Sequence, residues 1–225
     1  MVFKSGSFMG EGSTWKGSEM IDSEDKVKPE DTLATLVSAL PVASRDLITA
    51  KTKVEFDLAF AAIVVESVQR LERDSKNLSV LSEDGLSTVF VGFVNGTRAL
   101  IATREEFSNG HVDMTFRAPL SRPSREVLGE AKIFNYYQWH EEGLLQLITR
   151  YSTGREDRGL LLVYVKMKNI RKHMESLQTE LNRLLPCDQT KPCEGHSTRW
   201  SFITTHKHSS GEELEVWHLG CNLQT

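Results

Sequence analysis

The sequence predicts an α/β domain in which a central mixed sheet is flanked by helices. Three observations predict it. Residues 52–74 place an apolar side chain at every third or fourth position, the period of an amphipathic helix. Short runs between residues 87 and 133 carry strand signals, with the period-two alternation of half-buried strands clearest in the last of them. Finally, Gly159-Leu160-Leu161-Leu162-Val163-Tyr164-Val165 is continuously apolar, as expected of a strand covered on both faces. The resulting order is a long helix, a run of strands, a second helix and a buried strand, followed by a C-terminal helix and a β-hairpin extension.

The chain has 225 residues, enough for one well-buried domain with additions. It divides into a tail (1–31), a core (32–185) and a C-terminal loop and hairpin belonging to the same domain (186–225). No apolar run reaches the roughly eighteen residues of a membrane span, and the N-terminus lacks the basic-then-apolar order of a secretory signal. A cytoplasmic protein with no membrane partner is therefore expected. Cys187, Cys193 and Cys221 are an odd set at one end of the chain, which reads as reduced thiols. The net charge of −4 is uneven. Residues 1–31 hold four Lys against seven acidic residues, leaving 23 basic and 24 acidic residues in the remainder. This balance neither demands nor excludes a polyanionic substrate, because local patches set phosphate affinity.

Taken in order, residues 1–31 are rich in Gly, Ser and acidic groups, with scattered Phe3, Phe8 and Trp15, and are expected to be flexible. A short helix is predicted over 31–39, capped by Asp31 or Thr32, with Pro41 following its end. In the long helix, Val54, Leu58, Ala61, Val65 and Val68 form one face, with Glu66 on its flank beside Ala59 and Ala62. Residues 87–94 and 98–103 read as a hairpin turned by Asn95-Gly96, and Glu83-Asp84-Gly85 as the turn before it. Strands follow at 111–117 and 127–134, joined by a Pro/Ser/Arg-rich loop. A second amphipathic helix is predicted over 141–152 from Leu144, Leu147, Ile148 and Tyr151, and a third over 170–185. Residues 199–205 and 214–219 read as two strands joined around Ser210-Gly211, lengthening the sheet edge or forming a small cap.

The chemistry concentrates on two of these strands. Alternation puts Leu128, Glu130 and Lys132 on one face, so a carboxylate and an ammonium leave an apolar strand side by side. Such a placement costs desolvation energy unless the charges pair or serve a metal. Asp113, 17 positions earlier on the preceding strand, offers a second carboxylate. Two carboxylates and a lysine suit metal-assisted phosphodiester hydrolysis. Hard oxygen ligands hold Mg²⁺, which keeps several waters and contacts phosphate, while the lysine orients the attacking water. The triplet alone is cheap, since Glu24-Asp25-Lys26 repeats it; the strand context gives Glu130-Ala131-Lys132 its weight.

Asp113 followed by Glu130-Ala131-Lys132 resembles the PD-(D/E)xK nuclease superfamily, and the resemblance covers roughly residues 54–170. It implies a restriction-endonuclease-like fold with an αβββαβ core and a Mg²⁺-dependent nuclease, with Mn²⁺ as a substitute and DNA as the substrate. It also implies that Asp113, Glu130 and the carbonyl of Ala131 hold the metal and that Lys132 positions the water. An acid from the first helix often joins such sites, which points to Glu66; the alternative for Glu66 is a solvated helix carboxylate. Gln146 stands where the RecB-like branch has a glutamine contacting substrate or the metal-bound loop, although Arg150 occupies the position of that branch's tyrosine and Tyr151 comes one later. Its alternative is a helix-surface glutamine.

Other groups are open to two readings. Arg117, Arg122, Arg125, Arg150, Arg155 and Arg158, and Lys166, Lys168, Arg171 and Lys172, suit phosphate contact or a solvated face. His140, beside Trp139, suits substrate stacking or a proton-sharing bond. Cys187, Cys193, His196 and Cys221, with His206, His208 and His218, are zinc-ligand types at spacings that fit no compact ligand pair. The sequence contains no DNA-reading module, so target choice is expected to come from a protein partner, DNA shape or homo-oligomerisation, as in a restriction, anti-phage defence or repair assembly. Competing readings are a catalytically silent nucleic-acid-binding or scaffolding subunit, an effector gated by a small molecule, and an interaction protein whose Asp113 and Glu130 never meet.

Overall fold

Thr52 opens the longest helix. Its hydroxyl accepts the Glu55 N–H at 3.2 Å while the Glu55 carboxylate accepts the Thr52 N–H at 3.1 Å, a reciprocal cap worth about 1 kcal/mol. The computed structural model describes residues 29–107, 111–156 and 158–225. The helices are α1 (Pro29–Ser38), α2 (Val42–Thr49), α3 (Lys53–Arg73), α4 (Ser75–Leu78), α5 (Glu83–Asn95), α6 (Tyr137–Leu145) and α7 (Ile170–Leu184). A π-helical turn, Gln146–Tyr151, extends α6. The strands are β1 (Ile101–Phe107), β2 (His111–Ala118), β3 (Arg125–Ile133), β4 (Arg158–Val165), β5 (Glu194–Gly195), β6 (Ser201–Lys207) and β7 (Glu213–Asn222). The tail predicted over 1–31, including Glu24-Asp25-Lys26, lies almost wholly outside the described residues.

The strands form one seven-stranded mixed sheet in the order β1-β2-β3-β4-β7-β6-β5, parallel from β3 through β4 to β7 and antiparallel elsewhere. Helices α3 and α5 cover one face, where Phe60 and Phe90 meet Phe116 edge-on at 5.7 and 6.2 Å. Each such aromatic pair adds about 1 kcal/mol beyond area burial. Helices α6 and α7 cover the other face over Leu128, Leu161, Val163 and Phe202. The C-terminal strands enter the sheet rather than capping it, because β7 pairs in parallel with β4 along the whole length of β4. Among the described residues no helix is long and apolar enough to cross a membrane.

Two expectations are corrected. Residues 87–94 are not a strand: Ser82 caps a helix by accepting the Gly85 N–H, and Leu86, Phe90 and Val94 fall on its buried side at helical spacing. Burial of that face outweighs the weak β preference of Val89, Val91 and Thr88. Asn95 does not turn a hairpin; its amide brackets Ala102, accepting that residue's N–H and donating to its carbonyl, and so ties the end of α5 to β1. In α3 the buried face is Phe56, Phe60, Ile63, Val64 and Leu71, while Val54 and Leu58 of the expected stripe are 66% and 67% exposed. The helix has two apolar faces, and the one bearing phenylalanines buries more area.

Candidate functional site

Strand β2 stops pairing with β3 at Met114 opposite Gly129, although it continues beside β1 to His111. The next pair in register would be Asp113 with Glu130. Beyond that point, alternate N–H groups of β3 lose their strand partner. Phe134 donates toward β4, to the Tyr164 carbonyl, so the odd-numbered N–H groups of Ala131 and Ile133 face the side β2 has left. Carboxylates replace the missing strand. Asp113 Oδ2 accepts the Ala131 N–H at 3.2 Å, and Glu83 Oε2 accepts the Ile133 N–H at 2.6 Å. In an extended strand the carbonyl of a residue projects to the same side as its N–H, so the Ala131 carbonyl faces this opening too.

Glu130 and Lys132 leave β3 on the α6 face. Glu130 is 1% exposed, and neither of its oxygens makes a well-formed hydrogen bond, although Oε1 lies 2.6 Å from Lys132 Nζ. Burial, with the charge of Asp113 beside it, pushes the Glu130 carboxyl up to about 8. Lys132 Nζ also approaches Glu83 Oε1 at 3.7 Å. Burial works to lower the Lys132 pKa, but the Glu130 carboxylate and the charges of Glu83 and Asp113 outweigh it and raise the value. Burial likewise raises Glu83. Helix α6 closes over this group at Gly143, where a Cβ would come within 3.0 Å of Lys132 Cγ and 3.2 Å of Leu161 Cδ1.

The predicted residues Asp113, Glu130, Ala131 and Lys132 thus come together. Glu66 does not join them: it lies on α3, 2.6 Å from Arg70, and lines an open groove toward α2. The helix acid at this site is Glu83, in the first turn of α5 rather than in the turn expected over Glu83-Asp84-Gly85. The signal for it was Ser82 followed by two acids, an N-cap with the negative first turn that the helix dipole favours. Lys166, from the basic patch, holds this segment in place by donating to the Leu81 carbonyl at 2.6 Å. Gln146 begins the π-helical turn, which packs against β2 and β3, and its side-chain oxygen is buried without a hydrogen-bond partner.

The arginines before and after the hairpin lie at the opposite end of β3 and are engaged there. Arg117 pairs with Glu126 at 2.6 Å, Arg122 donates to the Pro119 and Ser121 carbonyls, Arg125 lies over the Phe56 ring, and Arg158 pairs with Glu215 at 2.7 Å. His140 is buried, which removes it from substrate stacking; its Nε2 lies 2.9 Å from His218 Nδ1. The cysteines do not converge, since Cys221 faces α3 and α5 whereas Cys187 and Cys193 pack toward α7. His206 is committed to Thr204 and the Cys187 carbonyl.

Among the described residues no three His, Cys, Asp or Glu side chains group closely enough to enclose a metal ion on their own. The donor set of Asp113, Glu130 and the Ala131 carbonyl fits a smaller demand. Mg²⁺ commonly takes one or two carboxylates and retains water on its remaining positions. Two mutually repelling carboxyl groups, one of them buried with a bare oxygen, form a place where a cation relieves an existing cost. Comparison with known proteins returns no match: no family model matches the sequence, and no curated protein or solved structure resembles it significantly.

Proposed function

We propose that this chain is a metal-dependent phosphodiesterase acting on DNA, with a restriction-endonuclease-like core of the PD-(D/E)xK type. The observation that carries the reading is the meeting of Asp113, Glu130, Ala131 and Lys132 where β2 leaves β3. Asp113, Glu130 and the Ala131 carbonyl would hold Mg²⁺ or Mn²⁺. When bound, the metal supplies Lewis-acid stabilisation of the phosphate and a more acidic water. Glu83 lies 3.7 Å from Lys132 Nζ and fixes the end of β3 by accepting the Ile133 N–H. Lys132 Nζ orients the attacking water and offsets charge developing on the phosphate oxygens. The buried floor beneath α6 keeps that ammonium in a low-dielectric setting, where its charge acts strongly.

Among the described residues the sheet and helices include no motif that reads base sequence, so target choice in the cytoplasm would fall to a protein partner, to DNA ends or shape, or to a second copy. Lys168 and Lys172, at the same end of the sheet as Lys132, would meet backbone phosphates. A second reading, a silent DNA-binding subunit, draws on the 2.6 Å Lys132–Glu130 contact, which neutralises the carboxylate without a metal. Cleavage of linear, circular and single-stranded DNA with Mg²⁺ or Mn²⁺ separates the two. The nuclease reading expects activity in the wild type that is lost in Lys132→Ala and Asp113→Asn. Salt-sensitive DNA binding with no cleavage under any metal would support the silent subunit instead.

A further inference from the structure

Helix α7 places Arg171, Met174, Glu175 and Gln178 on one stripe, facing residues 199–202 at the entry to β6 across a cleft of about 480 Å³. That volume lies in the range of small-ligand sites. Met174 and Phe202 form its buried floor. Trp200 forms a wall, packed against the α7-side core yet only partly buried. Its backbone sits at φ 56°, the left-handed region. For a bulky aromatic residue this backbone conformation is strained, and Gly or Asn would largely avoid the strain. A tryptophan kept at a strained position on a cleft wall is an outlier that points to use of its ring.

The polar groups around that ring have spare capacity. Arg199 has no hydrogen-bond or ion-pair partner among the described residues, and the Gln178 amide makes no side-chain hydrogen bond among them. Arg171 Nε pairs only with its exposed neighbour Glu175, at 2.7 Å. Arg171 and Gln178 are seven residues apart, about 10 Å along a helix. That separation is comparable to the span from phosphate to base in a mononucleotide.

We infer that this cleft binds a nucleotide, its base stacked on Trp200 and edged by the Gln178 amide, its phosphate held by Arg199 and Arg171. Guanidinium forks match phosphate oxygens, and a tryptophan face accepts any base. Glu175 is placed to accept from the ribose hydroxyls. The inference is independent of the phosphodiesterase reading, since none of these residues belongs to the Asp113–Lys132 group.

The test is calorimetric titration of the full chain, without metal, with AMP, adenosine, phenyl phosphate and a 5′-phosphorylated single-stranded deoxyadenosine oligonucleotide. AMP is expected to bind, with adenosine and phenyl phosphate each roughly tenfold weaker or more, because each lacks one anchor. Trp200→Leu, which keeps apolar packing but not stacking, and Arg199→Gln should each weaken AMP by about tenfold, while Trp200→Tyr restores it. Tighter binding of the oligonucleotide by the same residues would identify a strand end as the source of the nucleotide; tighter binding of AMP would identify a free nucleotide. Absence of AMP and oligonucleotide binding at millimolar concentration, equal binding of phenyl phosphate, or wild-type affinity in Trp200→Leu would overturn the inference.

Discussion

Asp113 Oδ2 accepts a hydrogen bond from the Ala131 backbone at 3.2 Å and thereby stands in for the strand that β2 has ceased to be. One carboxylate therefore has two roles. It closes an open position in the sheet, and it brings negative charge beside Glu130.

The two roles separate by substitution. Asp113→Asn retains an oxygen able to accept the Ala131 N–H but lacks the charge, whereas Asp113→Ala removes both. Stability in urea should therefore fall by about 1–2 kcal/mol in Asp113→Ala and by much less in Asp113→Asn. Mn²⁺ binding, followed by calorimetry, should be lost in both. Retention of Mn²⁺ affinity in Asp113→Asn would remove Asp113 from the proposed ligand set.

Glu130 gives a pH dependence of definite sign. Its folded-state pKa, about 8, lies above the ordinary 4.5, so between those values the folded chain holds a proton that the unfolded chain has lost. Stability from this group is full below pH 4.5 and declines as pH rises through 8. Glu130→Gln imitates the protonated acid. It should match the wild type near pH 5 and exceed it near pH 9 by a few kcal/mol at most. The same proton competes with a cation, so Mn²⁺ affinity of the wild type should climb between pH 6 and 8 and release a proton, readable as a dependence of binding heat on buffer ionisation enthalpy.

The sequence carried much of this site because strand alternation is local: Glu130 and Lys132 share a face whatever surrounds them. The long helix was legible as a period of 3.6 and the buried strand as a continuous apolar run, both local features of the sequence. What escaped was decided by tertiary contact. Val89 and Val91 favour a strand locally, and only the burial of Leu86, Phe90 and Val94 against the sheet makes that segment α5. Once α5 is a helix, Glu83 stands at its first turn beside Ile133, fifty residues away in the chain. Glu66 lost its expected place through a choice between two apolar faces of α3, which composition alone leaves nearly balanced.

At Gly143, α6 passes close over Lys132. A methyl group there would sit 3.0 Å from Lys132 Cγ, 3.1 Å from its Cε and 3.2 Å from Leu161 Cδ1, so the lysine stem must move. Helix propensity favours alanine by roughly 1 kcal/mol, which offsets part of the crowding. Gly143→Ala should therefore change the melting temperature little and lower the proposed DNA cleavage by about tenfold or more through a displaced ammonium. Full activity in this variant would show that Lys132 needs no fixed stem.

Beneath α6 and beside β6, a chain of buried groups fixes its own protonation. The Cys187 carbonyl can only accept, so His206 Nδ1 carries a hydrogen and, in the neutral ring, Nε2 accepts from the Thr204 hydroxyl. Thr204 in turn accepts from His218 Nε2, whose Nδ1 then accepts from His140 Nε2, leaving His140 Nδ1 bare and unpartnered. A proton has no stabilising place here. Burial pushes His140 down to about 3, and lowers His218 and His206 as well. For a lowered pKa the unfolded chain takes up protons first, so stability is retained above the ordinary 6.5 and lost as pH falls from there toward 3. Each imidazole contributes a slope of up to roughly 1.4 kcal/mol per pH unit. This trend opposes that of Glu130 between pH 4.5 and 6.5, so the informative quantity is the difference between variant and wild type. His140→Phe keeps a ring under α6 and removes one proton-accepting group; its unfolding free energy, measured in urea from pH 4 to 7, should fall less steeply with acid by about that slope. Parallel curves for the two proteins would show that His140 stays neutral in the unfolded chain over the same range, or titrates in the folded one, and either result would dismantle the chain of tautomers.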